Sequence, residues 1–465
     1  MSNQRLRVAI CGGGIGGLSC AVALSKYPHV DVDIYESNPE VVGSGPVVGI
    51  WLRSWKVLEK MGMAQDLQRK TGLQPSDQPV NTLNFRKSDS PTGLDFFQLV
   101  TRGGLIGFHR ADFTGVLLAH IQAAPNCHVY TNKRLWNYKQ ASHAPVELAF
   151  EDGTSAVCDV LVGADGIKSA VRRILMREQA RRARVESRPH DLTLLMASLD
   201  PYFSGSVAYR ARVDAAELRA VAPGHRALTE ATQYILVYPV GGEEGFLSLT
   251  AFHTNPSLEN TTYSGPWVKR LDTKEELMQP YLDWEPEVQQ LLQVRSPIPA
   301  FPRLLIYALQ CAQGASQWAI HVSKPAEIYF SGRVALLGDS AHAMEPHQSA
   351  GAGQAIEDAY FLATLLAARA PGSAHIHAAL RAYDAIRRPF ANGISRRNRL
   401  TGRQTMFLAG TGTGSPPDFD WAGASEAEAR EKLRPMGSVI TSNWEWAWAT
   451  TIDDSLDRAM RLLHG

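Results

Sequence analysis

The chain has 465 residues, of which 45% are hydrophobic, and its formal net charge at pH 7 is +1. This length predicts two or three structural units, since single hydrophobic cores stop growing near roughly 250–300 residues. The balanced charge argues against nucleic-acid binding and strong membrane attraction. No apolar run approaches the roughly 20 residues that a membrane-spanning helix needs.

The five cysteines are scattered without the paired spacing of a metal site, which fits a reducing compartment. His342 and His347 flank Pro346, but no carboxylate–histidine cluster of known metal-binding spacing accompanies them. The first predicted strand lies near the N-terminus, so we expect no signal peptide before it. We therefore expect a cytoplasmic protein without a metal ion.

The N-terminal segment has the order strand, glycine-rich turn and helix. Residues 5–11 form an apolar run of strand length, and residues 18–26 have helical periodicity. Gly12 allows a tight turn, Gly14 lets the backbone approach a pyrophosphate, and Gly17 lets the helix pack on the strand. The helix N-terminus then offers N–H donors to the phosphates, so this segment predicts a dinucleotide site.

The next strand-like run, residues 30–35, ends in an acidic residue. Glu36 follows the glycines by roughly 20 residues, where a carboxylate accepts hydrogen bonds from ribose hydroxyls. An acid at this point favours a ribose that lacks a 2′-phosphate. FAD and NAD(H) share this pattern, so the N-terminal segment alone leaves both cofactors open.

The middle of the chain changes in character. Residues 75–104 are predicted to form strands that interrupt the first unit, and residues 112–123 have the periodicity of a helix. From about residue 192 to residue 302 alternating strands predominate, which predicts a separate sheet domain. Residues 351–370 and 374–402 are predicted to form long helices.

Two later motifs place acidic residues at the ends of strands. Asp165 lies in a sharp turn after a buried strand, and Asp339 ends the strand-like run of residues 332–338. Asp339 is placed to bind the polyol chain of a flavin. Gly351 and Ala352 open a helix whose N–H groups can face the pyrimidine carbonyl of the flavin. Together with the N-terminal segment, these motifs favour bound FAD.

The combined motifs resemble those of the group A flavoprotein aromatic hydroxylases, a family that includes salicylate hydroxylase and fungal phenol-oxidising monooxygenases. The resemblance covers about residues 5–400 and implies an α/β fold. It comprises a Rossmann-like FAD-binding domain, an inserted mixed β-sheet substrate domain and C-terminal helices. The implied parts are residues 1–75, 105–190 and 303–400 for FAD binding, 76–104 and 191–302 for the substrate sheet, and 401–465 for a C-terminal helical and loop region.

The resemblance also implies roles for individual residues. Glu36 would bind the adenosine ribose, Arg110 the phosphate region and Asp339 the ribityl chain. Gly351 and Ala352 would contact the isoalloxazine. The remaining cofactor-site residues that it implies are Gly12, Gly14, Gly17, Val47, Asp165 and Pro346.

Two further residues resemble the catalytic pair of the fungal members, Arg210 and Tyr238. An arginine is a permanent cation that can hold a phenolate or carboxylate, and a tyrosine can hydrogen-bond the same oxygen. Together they would favour the electron-rich ionised phenol. The structural alternatives are a surface salt-bridge arginine and a core tyrosine.

The sequence departs from the family pattern at two places. Ser349 stands where the family usually has glycine before its Gly-Ala-Gly loop. Trp51-Leu52-Arg53 replaces the more common Pro-Asn after the second crossover. Neither change removes a group that the chemistry requires.

The activity implied by the resemblance is hydroxylation of a phenol or hydroxybenzoate. NADH or NADPH would dock transiently and reduce FAD, O₂ would form a flavin C(4a)-hydroperoxide, and the aromatic ring would attack its distal oxygen. Hydroxylation ortho to the hydroxyl is expected, and a carboxylate on the attacked carbon would leave as carbon dioxide. The expected partners are a small aromatic substrate and O₂, with the chain a monomer or homodimer.

Other functions share part of this pattern. A flavin-dependent epoxidase or oxidase is the nearest enzyme alternative, and a non-catalytic flavin-bound sensor belongs to another class. A halogenase would carry its tryptophan motif well before Gly338-Asp339, whereas Trp444 and Trp446 lie near the C-terminus. The choice between NADH and NADPH and the identity of the phenol stay open.

Overall fold

The computed structural model describes residues 5–41, 47–89, 92–141, 144–228, 232–233, 235–240, 246–293, 315–368, 372–408 and 423–464. The first part of the chain forms β1 (Leu6–Cys11), α1 (Ile15–Ser25), β2 (Val30–Tyr35), β3 (Val48–Trp51), α2 (Leu52–Lys60), α3 (Ala64–Thr71), β4 (Ser76–Lys87), β5 (Leu94–Gly103), β6 (Leu105–Phe108), α4 (Arg110–Gln122) and β7 (Cys127–Tyr130).

The middle part alternates between short sheets and helices. Its elements are β8 (Leu135–Lys139), β9 (Val146–Phe150), β10 (Ser155–Cys158), β11 (Val160–Gly163), α5 (Ala170–Val185), α6 (Pro189–Ala197), β12 (Tyr202–Asp214), α7 (Ala215–Val221), β13 (Thr232–Gln233), β14 (Ile235–Val240), β15 (Phe246–Thr254), β16 (Val268–Arg270), α8 (Lys274–Met278) and α9 (Pro286–Gln293).

The last part is mainly helical. It contains β17 (Ser316–Val322), β18 (Phe330–Ser331), β19 (Val334–Leu336), α10 (Asp339–His342), α11 (Gly351–Ala367), α12 (Ser373–Thr405), α13 (Glu426–Trp444), α14 (Trp446–Ala449) and α15 (Asp453–His464). Residues 409–422, within the predicted C-terminal helical and loop region, lie outside the described residues.

A mainly parallel sheet forms the centre of the first unit, with the strand order β18-β19-β11-β1-β2-β7. Strand β1 pairs in parallel with both β2 and β11. Its apolar residues are almost all buried, as expected for a sheet covered by helices on both faces. Helices α1 and α11 pack on each other beside this sheet. The predicted α/β, Rossmann-like fold is therefore confirmed.

A second sheet carries the order β16-β17-β12-β15-β14-β13-β4-β5. It unites β4 and β5, which lie within the predicted strand segment of residues 75–104, with strands from the later alternating region. It also includes Ser316–Val322, which pairs antiparallel with β12. This strand lies within residues 303–400, the stretch assigned above to FAD binding, so the sheet extends past the predicted boundary at residue 303. The backbone of β17 pairs with β12 in the second sheet. The strands that follow it, β18 and β19, belong to the first sheet.

The C-terminal helices close over the junction of the two units. Trp444 and Trp446 are buried in a cluster with Trp51 and Phe85. The indole N–H of Trp51 donates to the carbonyl of Gln348 at 2.8 Å. The C-terminal tryptophans therefore pack the interior, and the indole N–H of Trp446 also donates to the side chain of Gln348, at 3.4 Å, in the segment that precedes α11.

Across the described ranges, no helix is long and apolar enough to cross a bilayer. The same ranges contain no group of three histidine, cysteine, aspartate or glutamate side chains arranged to hold a metal ion. Four cysteines lie in the described part, all buried with free thiols: Cys11, Cys20, Cys127 and Cys158.

Candidate functional site

The turn between β1 and α1 is shaped by three glycines that meet different constraints. Gly12 has φ +112°, and a Cβ there would lie 2.3 Å from the carbonyl oxygen of Ala164. A Cβ on Gly17 would lie 2.0 Å from the carbonyl oxygen of Gly12. A Cβ on Gly14 would meet no atom within 4 Å. The protein's own backbone thus requires two of the glycines, while Gly14 leaves open space at the helix N-terminus.

A cavity of about 300 Å³ opens at this turn, and its lining includes Gly12, Gly14, Glu36 and Asp165. The carboxylate of Glu36 is buried and accepts hydrogen bonds from the Gly13 N–H at 2.7 Å and the Asn38 N–H at 2.8 Å. These bonds fix the carboxylate at the end of β2. Oε1 also accepts from the Asn38 side chain at 2.7 Å and the Ser37 hydroxyl at 3.2 Å, whereas Oε2, among the described residues, accepts only from Gly13 and retains capacity for a ribose hydroxyl.

Asp165 lines the same cavity but uses its carboxylate within the chain. It accepts hydrogen bonds from the Ala170 N–H at 2.7 Å and the Val171 N–H at 3.1 Å, and one from the Ser169 hydroxyl. Burial raises the pKa of Asp165. The side chain therefore caps the N-terminus of α5 and shapes the turn, and a direct contact with the cofactor stays a prediction.

A second cavity, of about 330 Å³, adjoins the first, since Gly14, Ala164 and Gly166 line both. Its lining gathers predicted site residues from distant parts of the chain: Gly14, Val47, Arg110, Arg210, Asp339, Pro346, Gly351 and Ala352. The two adjoining cavities can accommodate one extended molecule along the carboxyl ends of the parallel strands.

The polar groups along this space match the chemistry of FAD. Arg110 lines the second cavity together with Gly14, so its guanidinium can pair with a phosphate near the α1 N-terminus. Asp339 is exposed to the cavity and can accept hydrogen bonds from ribityl hydroxyls. The N-terminus of α11, at Gly351, offers its N–H groups to the electron-rich end of the flavin ring. The residues present therefore fit FAD.

Arg210 reaches this space from the second sheet. It lies on β12 opposite Thr250 of β15, and its guanidinium stacks 4.6 Å from the centre of the Trp318 ring. It lines the second cavity together with Pro346 and Gly351, which places a cation in the cavity that is predicted to hold the flavin ring. Stacking on the indole limits the orientations of the guanidinium.

Tyr238 lies on β14, where its backbone pairs with Ser248 of β15. Strand β15 lies between β14 and β12. Arg210 pairs with Thr250 of β15, and Tyr238 pairs with Ser248, two residues away on the same strand. The side chain of Tyr238 lies outside the described part of the structure. Its partnership with Arg210 stays a prediction.

Sequence reasoning missed a buried ion-pair network behind α11, formed by Arg53, Glu357, Asp358, Arg387 and His342. Arg53 Nε lies 3.0 Å from Glu357, whose other carboxylate oxygen accepts from Arg387 at 2.9 Å. Arg387 also donates to Asp358 at 2.8 Å. These side chains are at most 2% exposed.

The network is linked to the second cavity through the bond between Asp358 and Gly338, since Gly338 lines that cavity. Its carboxylate accepts hydrogen bonds from the Gly338 N–H at 3.0 Å and from His342 at 2.6 Å. Burial opposes its ionisation, but the charges of His342 and Arg387 outweigh that effect and lower the pKa of Asp358 to about 2. The ionised network thus holds the loop that presents Asp339.

Glu345 is a second residue that sequence reasoning missed. It lies in the loop between α10 and α11, lines the second cavity with Arg210, and is only 9% exposed. Burial raises the pKa of its carboxyl to about 7. The sequence shows an acidic residue beside Pro346, one of the predicted cofactor-site residues, but it does not show that this residue is buried.

The fold and the two adjoining cavities define an FAD-binding flavoprotein. A sequence profile of the FAD binding domain family matches residues 5–234 and 308–398, more than half of the chain. The chain belongs to this family. It is a flavoprotein monooxygenase of the aromatic hydroxylase group, as the resemblance of its motifs predicts.

Three similar proteins agree with this assignment. The FAD-dependent monooxygenase str9 of Strobilurus tenacellus is 30% identical, with 99% of this chain and 98% of that protein covered. A salicylate hydroxylase of Pseudomonas putida is 29% identical, with coverages of 99% and 96%. The solved structure of a salicylate hydroxylase substrate complex superposes with a TM-score of 0.75 at 26% identity and covers 98% of each chain.

Alanine at Gly14 is expected to weaken FAD binding by roughly tenfold or more without lowering the stability of the apoprotein. Its Cβ has open space in the protein but occupies the approach to the pyrophosphate. Gly17→Ala is the matched control. It should lower both the FAD affinity and the stability of the apoprotein, because its Cβ overlaps the Gly12 carbonyl. Thermal unfolding of the apoproteins and fluorescence titration with FAD measure the two effects. Wild-type FAD affinity in Gly14→Ala would contradict the proposed pyrophosphate position.

Asp339→Ala should raise the dissociation constant of FAD by roughly 10- to 100-fold, since a hydrogen bond to a charged group contributes about 1.5–3 kcal/mol. Asp283→Ala, an exposed aspartate beyond both cavities, is the control and should bind FAD as the wild type does. Equilibrium dialysis against FAD gives both values. Equal affinities for the two variants would remove Asp339 from the cofactor site.

Proposed function

We propose that the protein hydroxylates a phenol or hydroxybenzoate of the salicylate type, using NADH or NADPH and O₂. The observation that carries this proposal is the position of Arg210, a half-buried cation in the same cavity as Asp339 and the α11 N-terminus. A cation at this point suits an anionic aromatic substrate. The names of two similar proteins, both salicylate hydroxylases, support the same substrate class.

Arg110, Asp339 and the N-terminus of α11 would hold FAD, which would supply the redox chemistry that links the reduced nicotinamide, O₂ and the aromatic substrate. The chain's residues bind and orient the substrate. Arg210 holds the carboxylate or phenolate, and its stacking on Trp318 keeps the guanidinium directed at the cavity. Tyr238 would hydrogen-bond the same oxygen. Met344 and Pro346 line the cavity and help to exclude water.

The position of the substrate carboxylate decides the product. If the attacked carbon carries hydrogen, a dihydroxy product forms. If it carries the carboxylate, carbon dioxide leaves as the ring regains aromaticity. We propose the second outcome for salicylate, since Arg210 can hold the carboxylate next to the reacting carbon.

The test is oxidation of NADH and of NADPH by the FAD-loaded protein, with and without a panel of phenols, followed by mass spectrometry of the products. The proposal expects oxidation stimulated by salicylate-type phenols and a product that has gained oxygen. Rapid oxidation yielding only hydrogen peroxide would favour an oxidase. No oxidation with any phenol would favour the flavin-bound sensor.

The cellular setting forms part of the same proposal. We propose a cytoplasmic enzyme that is a monomer or homodimer. The free thiols of the four described cysteines support a reducing compartment. Size-exclusion chromatography with light scattering distinguishes the two assembly states, and a larger assembly would contradict both.

A further inference from the structure

We propose that Glu345 contacts the substrate, accepts its phenolic O–H as a hydrogen bond and takes the proton during oxygenation. The inference rests on the proposed function and adds a residue to it. Arg210 and Glu345 would then recognise two different groups of one hydroxybenzoate. Arg210 would hold the carboxylate, and Glu345 the hydroxyl.

The first support is the position of Glu345 in the wall of the second cavity. Glu345 lies between Met344 and Pro346, and all three line the cavity that Arg210 enters from β12. The side chain is 9% exposed and makes no hydrogen bond to any described residue. Within 4 Å its one ion-pair contact in the described part is His347 Nε2, at 3.6 Å. A largely buried carboxyl without a hydrogen-bond partner in the protein can accept a hydrogen bond from a ligand that enters the cavity.

The second support is the surrounding charge. Arg399 and Arg403 on α12 attract the carboxylate form, but Glu259 opposes them and is itself paired with Arg399. Burial outweighs this balance, so the carboxyl titrates near neutrality. Tyr202 on β12 and His347 on its own loop also lie beside it, and Arg210 lines the same cavity.

His347 does not neutralise Glu345 by a permanent ion pair. Burial lowers the pKa of His347 to about 3, so the imidazole is neutral wherever Glu345 is ionised. The Glu345 carboxylate is therefore available to a donor in the cavity. A phenolic O–H is such a donor.

The proton balance of the step is simple. The phenolic O–H bond breaks, and a Glu345 oxygen gains the proton while the ring becomes more electron-rich. When the ring regains aromaticity after oxygenation, Glu345 returns the proton to the same phenolic oxygen. No additional oxidant or reductant is needed.

Ligand binding to the FAD-loaded protein tests the inference without turnover. Salicylate and benzoate differ by the hydroxyl group, and the flavin absorbance reports the binding of either. At about pH 8.5, Glu345→Gln should bind salicylate roughly tenfold more weakly than the wild type and benzoate equally well. At about pH 5.5 the difference for salicylate should shrink, because Glu345 is then protonated in the wild type. Glu327→Gln, an exposed control, should match the wild type throughout.

Turnover gives a second readout. The rate in the wild type should rise as pH increases through about 7, since the base form of Glu345 increases over that range. Glu345→Gln should lose this rise, and Glu345→Asp should restore part of it. Unchanged salicylate affinity together with an unchanged pH profile in Glu345→Gln would overturn the inference. If the wild type oxidises no phenol, the proposed function fails instead, which is a distinguishable result.

Discussion

Arg210→Ala is expected to reduce product formation by roughly 10²-fold or more while the FAD content of the purified protein stays unchanged. The guanidinium is the cation that β12 places in the cavity, and its stacking on Trp318 preorganises it. Without it, a substrate carboxylate or phenolate enters a partly desolvated site without a charge partner. Arg210→Lys keeps the charge but loses the planar fork, so its activity should be intermediate.

Arg270→Ala provides the matched control for this prediction. Arg270 is an exposed arginine on β16, at the edge of the same sheet. Its replacement should leave the rate of product formation and the FAD content within experimental error of the wild type. Product formation by Arg210→Ala at the control rate would refute the proposed role, and a colourless Arg210→Ala protein would move Arg210 to cofactor binding.

Arg387→Met is expected to lower the free energy of unfolding by about 3–5 kcal/mol, as found when one partner of a buried ion pair is removed. Glu357 and Asp358 would both lose a donor within hydrogen-bond distance and stay buried. Because Asp358 also holds the Gly338 N–H, FAD affinity should fall together with stability. Urea unfolding and FAD titration measure the two effects.

Arg434→Met is the comparison for this variant, since Arg434 is 76% exposed and pairs with Glu431 on the surface of α13. Arg434→Met should lower the free energy of unfolding by less than about 1 kcal/mol. Equal losses in Arg387→Met and Arg434→Met would show that the buried network does not stabilise the fold.

The contribution of Asp358 to stability is present above its unfolded pKa, near 3.9, and is lost as pH falls towards about 2.

The parts of the site that depend on local geometry were predictable from sequence. The turn from β1 to α1 needs glycines at fixed spacing, and Glu36 follows at the end of the next strand, so neighbouring residues carry the signal. The strand ending before Asp339 and the helix opening at Gly351 are similarly local. Each motif predicts its own element, and their order along the chain indicates one cofactor.

The rest depends on contacts between residues far apart in sequence. Arg53 meets Glu357 across 304 positions, and no spacing rule connects them. Burial of Glu345 likewise arises from α12 and β12, which pack around its loop. The inclusion of β17 in the second sheet is a matter of pairing, which a short apolar strand does not specify by itself. Tertiary packing decides these features.

Turnover under ¹⁸O₂ tests the central claim most directly, namely that this flavoprotein inserts oxygen into an aromatic substrate bound beside Arg210. The FAD-loaded protein is supplied with salicylate, NADH or NADPH and labelled oxygen, and the product is analysed by mass spectrometry. The account predicts one ¹⁸O atom in each product molecule for each reduced nicotinamide consumed. Product that carries no label, or label that comes from H₂¹⁸O instead, would contradict it.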